Sequence, residues 1–285
     1  ATGTTRDWNF DTAVSGRIRD KDRDTNDWFL GREKTYKFLR KRSYVFGCYQ
    51  WAAVEHRGEA AWPRVCSCSG ALDLFLQKKG AFYQNKSHWT KDPMAHIVPH
   101  WNFKGLEGRE IPVTVYTNCE ELELFLNGKP LGKRQIEKYG HGEWSVEYIP
   151  GTLEVKGYIG GKEVCCDKRV TTGRPAALKL TQDNDFTANG SDIALFTCEC
   201  VDENGLTVPD AAEYVHFSVT APAKIIGTGS DNCDHNNVAN TDRKMYMGKI
   251  RIAIKPKQGQ VSFTLTAMSD NCGVCEKTVS LCAEN

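Results

Sequence analysis

From about residue 110 onward, the chain is built from short segments in which apolar and polar residues alternate. In "ELELFLNGK", residues 121–129, leucine occupies every second position of the first six, and Asn127-Gly128 supplies a hairpin turn signal. Alternation with a period of two directs every second side chain to the same face of a strand, so one face can be buried while the other is solvated. Similar segments follow up to the C-terminal end, which predicts antiparallel sandwiches of the immunoglobulin type.

Composition divides the chain into three regions. Its 285 residues suffice for two or three domains. Six of the seven tryptophans lie within the first 101 residues, and a polar, glycine-containing stretch, "NFKGLEGRE", follows them. We therefore predict three domains, residues 1–105, 106–173 and 174–285, of which the second and the third are the sandwiches.

The first region mixes helix and strand. Residues 29–44 and 74–89 are rich in helix formers. Between them, "YVFGCYQW" at 44–51 is apolar without alternation, which is typical of a buried parallel strand. Helix, strand, loop and helix is the repeating order of an α/β barrel, but a complete barrel needs ~250 residues. The predicted fold class is mainly β with an α/β segment: the last βα units of a (β/α)8 barrel, followed by two immunoglobulin-like sandwiches.

Charge and hydropathy argue against several classes of function. The net charge of +1 gives no electrostatic reason to bind nucleic acid or an anionic membrane. No apolar run approaches the ~20 residues of a membrane span. The first residues have neither the basic nor the apolar part of a signal peptide. We expect a cytoplasmic protein with no nucleic-acid or membrane partner.

Cysteine and histidine spacing predicts no metal site. The twelve cysteines are too irregularly spaced for a small disulfide scaffold, and we interpret most of them as buried thiols in a reducing compartment. Cys272 and Cys275 have thioredoxin-like spacing but lie in a β-rich segment, and no second pair completes a zinc site. For His96 and His100 the alternatives are metal ligation and packing, and for Trp101 they are a position at the barrel mouth and packing between domains; packing is the favoured interpretation of all three. We therefore expect neither a metal nor a cofactor.

The loop after the predicted strand at 44–51 carries the candidate site. Trp51 lies at the end of that strand, and Glu55, His56, Arg57 and Glu59 follow it. In an α/β barrel, functional residues lie at the carboxyl ends of strands. An exposed indole can cover the apolar face of a pyranose, while carboxylates and a guanidinium bind its hydroxyls. The alternative is that Trp51 is a core residue and that residues 55–59 are a solvated turn.

Three stretches carry a resemblance to one enzyme family. "GCYQWAAVEHRGEAAWPRVCSCSGALDLFLQKKGAFYQNKSHW" resembles the end of the catalytic barrel of glycoside hydrolase family 2 β-galactosidases. "DPMAHIVPHWNF" and "VYTNCEELELFLNGKPLGK" resemble the start of the first β domain after that barrel. "PAALKLTQDN", "CVDENGLTVPDA" and "IIGTGSDN" are similar to a bacterial immunoglobulin-like domain at the C-terminus of the same enzymes.

The resemblance implies a role for each candidate residue. Trp51 matches the aromatic platform under the sugar in the −1 subsite, and the segment from Glu55 to Glu59 matches the rim of that subsite. Much of the family has Asp-Tyr where this chain has Glu55-His56. The segment "ATGTTRDW" is similar to the one that follows the family's nucleophilic glutamate, so the nucleophile is expected just before Ala1 and the acid/base further upstream.

We therefore expect the C-terminal part of a retaining exo-β-galactosidase that hydrolyses terminal β-galactosides, with no catalytic residue in this chain. The chain alone is then inactive, its partners are β-galactoside sugars, and a homo-oligomer is possible. Glu55 and Glu59 are weak substitutes, because an exposed loop does not raise the pKa of an acid. Two alternatives stay open. One is a β-glucuronidase or β-mannosidase of the same family; the other is a non-catalytic sugar-binding or structural sandwich, which the lack of Trp after residue 144 disfavours.

Overall fold

The computed structural model describes residues 32–60, 62–67, 69–230 and 232–280. The segment "ATGTTRDW" at residues 1–8, which is expected to follow the nucleophile, lies outside these residues. The chain divides into two compact units, Ala1–Thr171 and Thr172–Asn285. The described part is mainly β, as predicted, and no helix in it has both the length and the hydropathy needed to cross a bilayer.

The first unit contains two helices and seven strands among its described residues. The helices are α1 (Arg32–Arg40) and α2 (Gly80–Trp89). The strands are β1 (Ala95–Val98), β2 (Glu110–Thr117), β3 (Glu121–Leu126), β4 (Lys129–Gln135), β5 (His141–Glu147), β6 (Thr152–Ile159) and β7 (Lys162–Val170). They form two antiparallel sheets, ordered β1-β2-β5 and β4-β3-β6-β7.

Alternation explains the core of this sandwich. The leucines of β3 are buried, whereas the residues between them are partly exposed. Leu124 lies opposite Val155 of β6, and both are fully buried. Between β3 and β4, Asn127 and Gly128 have φ values of 51° and 79°, the two left-handed residues that a tight hairpin turn needs. The predicted hairpin is therefore confirmed.

The second unit is a sandwich of eight described strands. They are β8 (Ala177–Gln182), β9 (Ala194–Val201), β10 (Tyr214–Val219), β11 (Lys224–Gly229), β12 (Asp242–Lys244), β13 (Lys249–Lys255), β14 (Ser262–Ser269) and β15 (Gly273–Ser280). One sheet is ordered β12-β10-β14-β15 and the other β11-β13-β9-β8. Phe196, Phe217, Ile252 and Phe263 are buried in its core, at alternating positions of their strands.

The predicted buried strand at 44–51 is wrong. Residues 45–50 have no secondary structure, and Tyr44, Phe46 and Tyr49 are almost fully exposed. A strand that is apolar on both faces is stable only between neighbouring strands with layers covering both faces. None of the described strands pairs with this run. The apolar pattern therefore does not produce a strand here.

The two predicted helices are confirmed in part. Helix α1 lies within 29–44, but α2 occupies only the second half of 74–89. In the first half, a carboxylate oxygen of Asp73 accepts hydrogen bonds from the backbone N–H groups of Phe75, at 2.9 Å, and Gln77, at 2.8 Å. Such local bonds give the backbone an alternative to a helix. Helix α2 therefore begins at Gly80.

Candidate functional site

The candidate loop, residues 51–59, is fixed by backbone hydrogen bonds to residues 66–72. The N–H of Leu72 donates to the carbonyl of Ala53 at 2.9 Å, and the N–H of Glu55 donates to the carbonyl of Leu72 at 3.0 Å. Further along, the N–H of Ser67 donates to the carbonyl of His56 at 2.8 Å. The loop therefore has a defined conformation although it contains no regular strand.

Trp51 is a surface residue with polar neighbours. Its side chain is 60% exposed, so its interpretation as a core residue is wrong. The ring of His56 lies edge-on to it, with 5.4 Å between the ring centroids. Nε2 of His56 lies 3.5 Å from a carboxylate oxygen of Glu59, and its Nδ1 lies 3.2 Å from the hydroxyl of Ser67. The structure thus brings Trp51, His56 and Glu59 together at the surface.

Glu55 does not share this surface. The expectation that it lies in an exposed loop is wrong, because the residue is only 3% exposed. Its carboxylate forms an ion pair with the ammonium group of Lys79, which is 1% exposed, and accepts a hydrogen bond from the thiol of Cys66 at 3.3 Å. Burial and the neighbouring Glu55 raise the pKa of Cys66 to about 12, so this thiol keeps its proton at neutral pH. Glu55 therefore faces the interior of the loop.

A glycine permits this inward placement. A Cβ atom on Gly70 would lie 2.3 Å from the backbone nitrogen of Glu55 and 2.7 Å from its Cγ. Burying two charges costs several kcal/mol per ion, and close pairing is what offsets this cost. No local pattern predicted this pair, since Lys79 follows Glu55 by 24 residues and lies in a stretch predicted as helix.

The arrangement can bind a small polar ligand with an apolar face. Trp51, His56 and Glu59 together offer an indole, an imidazole and a carboxylate, and the same loop carries the exposed guanidinium of Arg57. Glu55 and Glu59 face different surroundings, one buried against Lys79 and one at the surface. The loop therefore does not present two carboxylates to a ligand. Among the described residues, no cluster of His, Cys, Asp and Glu side chains could hold a metal ion.

The other candidate residues, His96, His100 and Trp101, pack against aromatic rings or in the core. His96 stacks on Tyr83 with 3.2 Å between the ring centroids, and burial together with the charge of Arg169 lowers its pKa to about 2. His100 stacks on Phe103. Trp101 is 1% exposed and donates its indole N–H to the carbonyl of Ile149 at 3.0 Å. The interpretation of these three residues as packing residues is confirmed.

A cavity of about 350 Å³ in the second unit is a further candidate. It is lined in part by Tyr214, Asp234 and Arg243. The guanidinium of Arg243 is buried, and it donates hydrogen bonds to Asp234, to the hydroxyl of Thr228 and to the carbonyl of Asn237. These bonds hold the loop after β11 in place, so the charge of Arg243 already has a structural role.

Two family models match the chain. Residues 108–165 match a domain of unknown function (DUF4982), and residues 178–278 match the glycoside hydrolase family 2 C-terminal domain 5. The first match lies in the first sandwich and the second spans almost all of the second.

Curated relatives and solved structures point to the same family. The chain is 34% identical over 249 residues to the beta-galactosidase BoGH2A of Bacteroides ovatus, an alignment that covers 84% of this chain and 29% of that protein. It is 33% identical over 249 residues to a putative beta-glucuronidase of Formosa agariphila, covering 81% of this chain and 24% of that protein. The fold superposes on a beta-glycosidase from Bacteroides vulgatus with a TM-score of 0.86 and 25% identity, over 95% of this chain and 35% of that one.

The chain thus spans less than a third of the length of these two curated relatives. Both family models and the relatives agree over the two sandwiches, and the alignments reach beyond them into the first region. The chain belongs to glycoside hydrolase family 2 and corresponds to a C-terminal portion of proteins of that family.

Proposed function

We propose that this chain is the C-terminal part of a retaining exo-β-galactosidase and that residues 51–59 form the rim of its sugar subsite. The observation that carries the proposal is the exposed indole of Trp51 beside His56 and Glu59. The buried ion pair of Glu55 and Lys79 holds this loop in place. The β-galactosidase of Bacteroides ovatus, at 34% identity, supports the choice of sugar.

Each residue of the loop then has a distinct task. Trp51 covers the apolar face of the galactose ring, because C–H groups pack well on an aromatic face. His56 and Glu59 bind hydroxyl groups, and their mutual contact at 3.5 Å orients both. Glu55 and Lys79 touch no sugar; they hold the loop in position from beneath.

The catalytic carboxylates are proposed to lie outside residues 32–280. Retaining hydrolysis needs a nucleophile and an acid/base ~5–5.5 Å apart. Glu55 is buried against Lys79, which leaves Glu59 as the exposed carboxylate of the loop. In this proposal the loop closes the end of a (β/α)8 barrel whose strands, outside the described residues, carry the two catalytic groups, and the sandwiches serve as scaffold.

The main test compares two exposed tryptophans in the longer protein that contains this chain. Trp51→Ala should lower kcat/KM for a β-galactoside at least tenfold, about 1.4 kcal/mol of transition-state binding. Trp89→Ala is the matched control, because Trp89 is 62% exposed, as Trp51 is, but lies on α2. Equal effects of the two substitutions would remove Trp51 from the subsite.

A second test uses the chain alone. We expect it not to cleave a chromogenic β-galactoside, since the loop lacks a pair of exposed carboxylates. Turnover that disappears in Glu59→Gln but persists in Glu107→Gln, an exposed control, would show that the chain carries its own catalytic group.

A β-glucuronidase is the second candidate. The Formosa agariphila relatives named as putative beta-glucuronidase and beta-glucuronidase, at 33% and 31% identity, favour it, and the exposed guanidinium of Arg57 suits a sugar carboxylate. The ratio of kcat/KM for the β-galactoside to that for the β-glucuronide separates the two. A higher value for the glucuronide, with selective loss of it in Arg57→Gln, would replace the galactosidase proposal.

A further inference from the structure

Two cysteines of the first sandwich lie within reach of each other. Cys119 lies between β2 and β3, and Cys165 lies on β7, 46 residues later. Their sulfur atoms are 3.4 Å apart. Both sit over Gly157 of β6, where an added Cβ would come within 2.7 Å of each sulfur. The glycine thus provides the space in which the two sulfurs meet.

The two sulfurs differ in acidity. The hydrogen bond from Cys165 lowers the pKa of Cys119 to about 6; burial opposes this, and the Thr117 hydroxyl adds to it. The same hydrogen bond and burial raise the pKa of Cys165. The hydrogen bond between the two sulfurs therefore favours the thiolate form of Cys119 and the thiol form of Cys165. A thiolate is the reactive form of cysteine.

A second close pair provides an internal comparison. Cys200 and Cys272 in the other sandwich lie with their sulfurs 3.7 Å apart, and both are buried. Burial raises the pKa of Cys200 to about 12 and also raises that of Cys272. Proximity is similar in the two pairs, but in the second pair burial outweighs the effect of the hydrogen bond on Cys272, so the pKa of each thiol is raised and the thiol form is favoured in both.

We propose that Cys119 and Cys165 are a site of reversible disulfide formation in response to a hydroperoxide. In the first step the Cys119 thiolate attacks an oxygen of hydrogen peroxide; the O–O bond breaks, Cys119 becomes a sulfenic acid and hydroxide leaves. In the second step the Cys165 sulfur attacks the sulfur of Cys119, the S–O bond breaks and, with the thiol proton, a water molecule leaves. One thiolate, one thiol and one peroxide thus give one disulfide, one water and one hydroxide, and the proton that Cys119 released on ionisation converts the hydroxide to a second water.

The sulfurs need only a short approach for this bond. They must move together by roughly 1.4 Å to reach a disulfide length of about 2.05 Å. The bond would tie the β2–β3 connection to β7, a strand at the edge of its sheet. Because it closes a loop of 46 residues, it restricts the unfolded chain and stabilises the first unit.

Peptide mapping tests the bond directly. Trypsin leaves Cys165 and Cys166 on one peptide, residues 163–168, so the experiment uses the chain with Cys166→Ser. The protein is treated with hydrogen peroxide, alkylated, digested and analysed by mass spectrometry. We expect the peptides of Cys119 and Cys165 to be linked, with the loss of two hydrogen atoms, before any link between the peptide that carries Cys200 and the peptide that carries Cys272. Recovery of Cys119 as sulfinic acid without a link, or earlier linkage of the Cys200 and Cys272 peptides, would overturn the proposal.

Thermal unfolding supplies a second readout. All seven tryptophans precede residue 145, so tryptophan fluorescence reports the first unit alone. Peroxide should raise its midpoint by roughly 5 to 10 °C, and a thiol reductant should reverse the rise. Cys165→Ser should abolish the rise, whereas Cys200→Ser should retain it. A rise that persists in Cys165→Ser would exclude this disulfide as its cause.

Discussion

Two apolar segments of the first unit differ in structure: one forms a strand with buried side chains, and the other forms no strand and is exposed. Strand β3 alternates leucines with polar or aromatic residues, and its leucines are buried. The run at 44–51 is more continuously apolar, yet it leaves Phe46 and Tyr49 exposed. The alternating segment has its hairpin partner two residues away, whereas the continuous one needs neighbours on both sides and layers on both faces. A high apolar content therefore does not bury a segment unless its partners are present.

The loop that follows the continuous run is ordered by a different means. Residues 51–59 are held by backbone bonds to 66–72 and by the buried pair of Glu55 and Lys79. Apolar packing thus stabilises the sandwich, whereas a buried ion pair, the polar anchor, stabilises the candidate loop. We therefore expect loss of a charged partner to destabilise the loop, and truncation of a buried apolar side chain to destabilise the sandwich.

The largest effect is expected at the polar anchor. Lys79→Ala leaves the Glu55 carboxylate buried without its ammonium partner, which should cost about 3–5 kcal/mol of local stability. Hydrogen exchange of residues 51–72 measures that cost. Lys78→Ala is the matched control, because the neighbouring Lys78 is exposed. The double substitution Lys79→Met with Glu55→Leu should restore most of the loss, since no unpaired charge remains. An equal effect of Lys78→Ala and Lys79→Ala would show that the pair does not anchor the loop.

Apolar truncations should separate the two segments next. Leu124→Ala, at a fully buried position of β3, should lower the free energy of unfolding of the first unit by about 3 kcal/mol. Phe46→Ala should change it by less than ~0.5 kcal/mol, because the ring buries little surface. Urea titration followed by tryptophan fluorescence gives both values. A cost at Phe46 comparable to that at Leu124 would mean that the run at 44–51 packs in solution.

The same contrast explains what could be predicted from the sequence. Alternation and the Asn127-Gly128 turn predicted the hairpin of β3 and β4, because the information lies within a few residues. Local order left open whether Trp51 is exposed or a core residue, and the family resemblance favoured the exposed position beside His56 and Glu59 that the structure shows. The pairing of Glu55 with Lys79 and the meeting of Cys119 with Cys165 depend on contacts across 24 and 46 residues. No local pattern encodes such contacts, so they required the structure.

A polar contact also joins helix α1 to the first sandwich. Nδ1 of His141, on β5, lies 2.6 Å from a carboxylate oxygen of Glu33, on α1. Burial alone would raise the pKa of Glu33, but hydrogen bonds from His141 and Lys37 outweigh it and leave that pKa below its usual value. Burial alone would lower the pKa of His141, but its bonds to Glu33 and Glu143 outweigh it and leave that pKa raised. Both shifts favour the charged pair.

This pair should give the first unit a stability that depends on pH in both directions. The contribution of Glu33 is present above its unfolded pKa of 4.5 and is lost as the pH falls through the lower folded value. That of His141 is present below its unfolded pKa of 6.5 and is lost as the pH rises through the higher folded value. The pair should therefore contribute most between these two values, by about 1 kcal/mol.

Unfolding midpoints from tryptophan fluorescence across this pH range test that profile. Glu33→Gln should flatten it on both sides, because it removes the acid and with it the main partner of His141. Glu203→Gln, an exposed acid of the second unit, should leave it unchanged. A profile that is the same in Glu33→Gln and in the unmodified chain would mean that α1 is attached to the sandwich by its other contacts, such as the pair of Lys37 and Glu137 at 2.8 Å. The contrast between a polar attachment and an apolar sandwich would then not extend to α1.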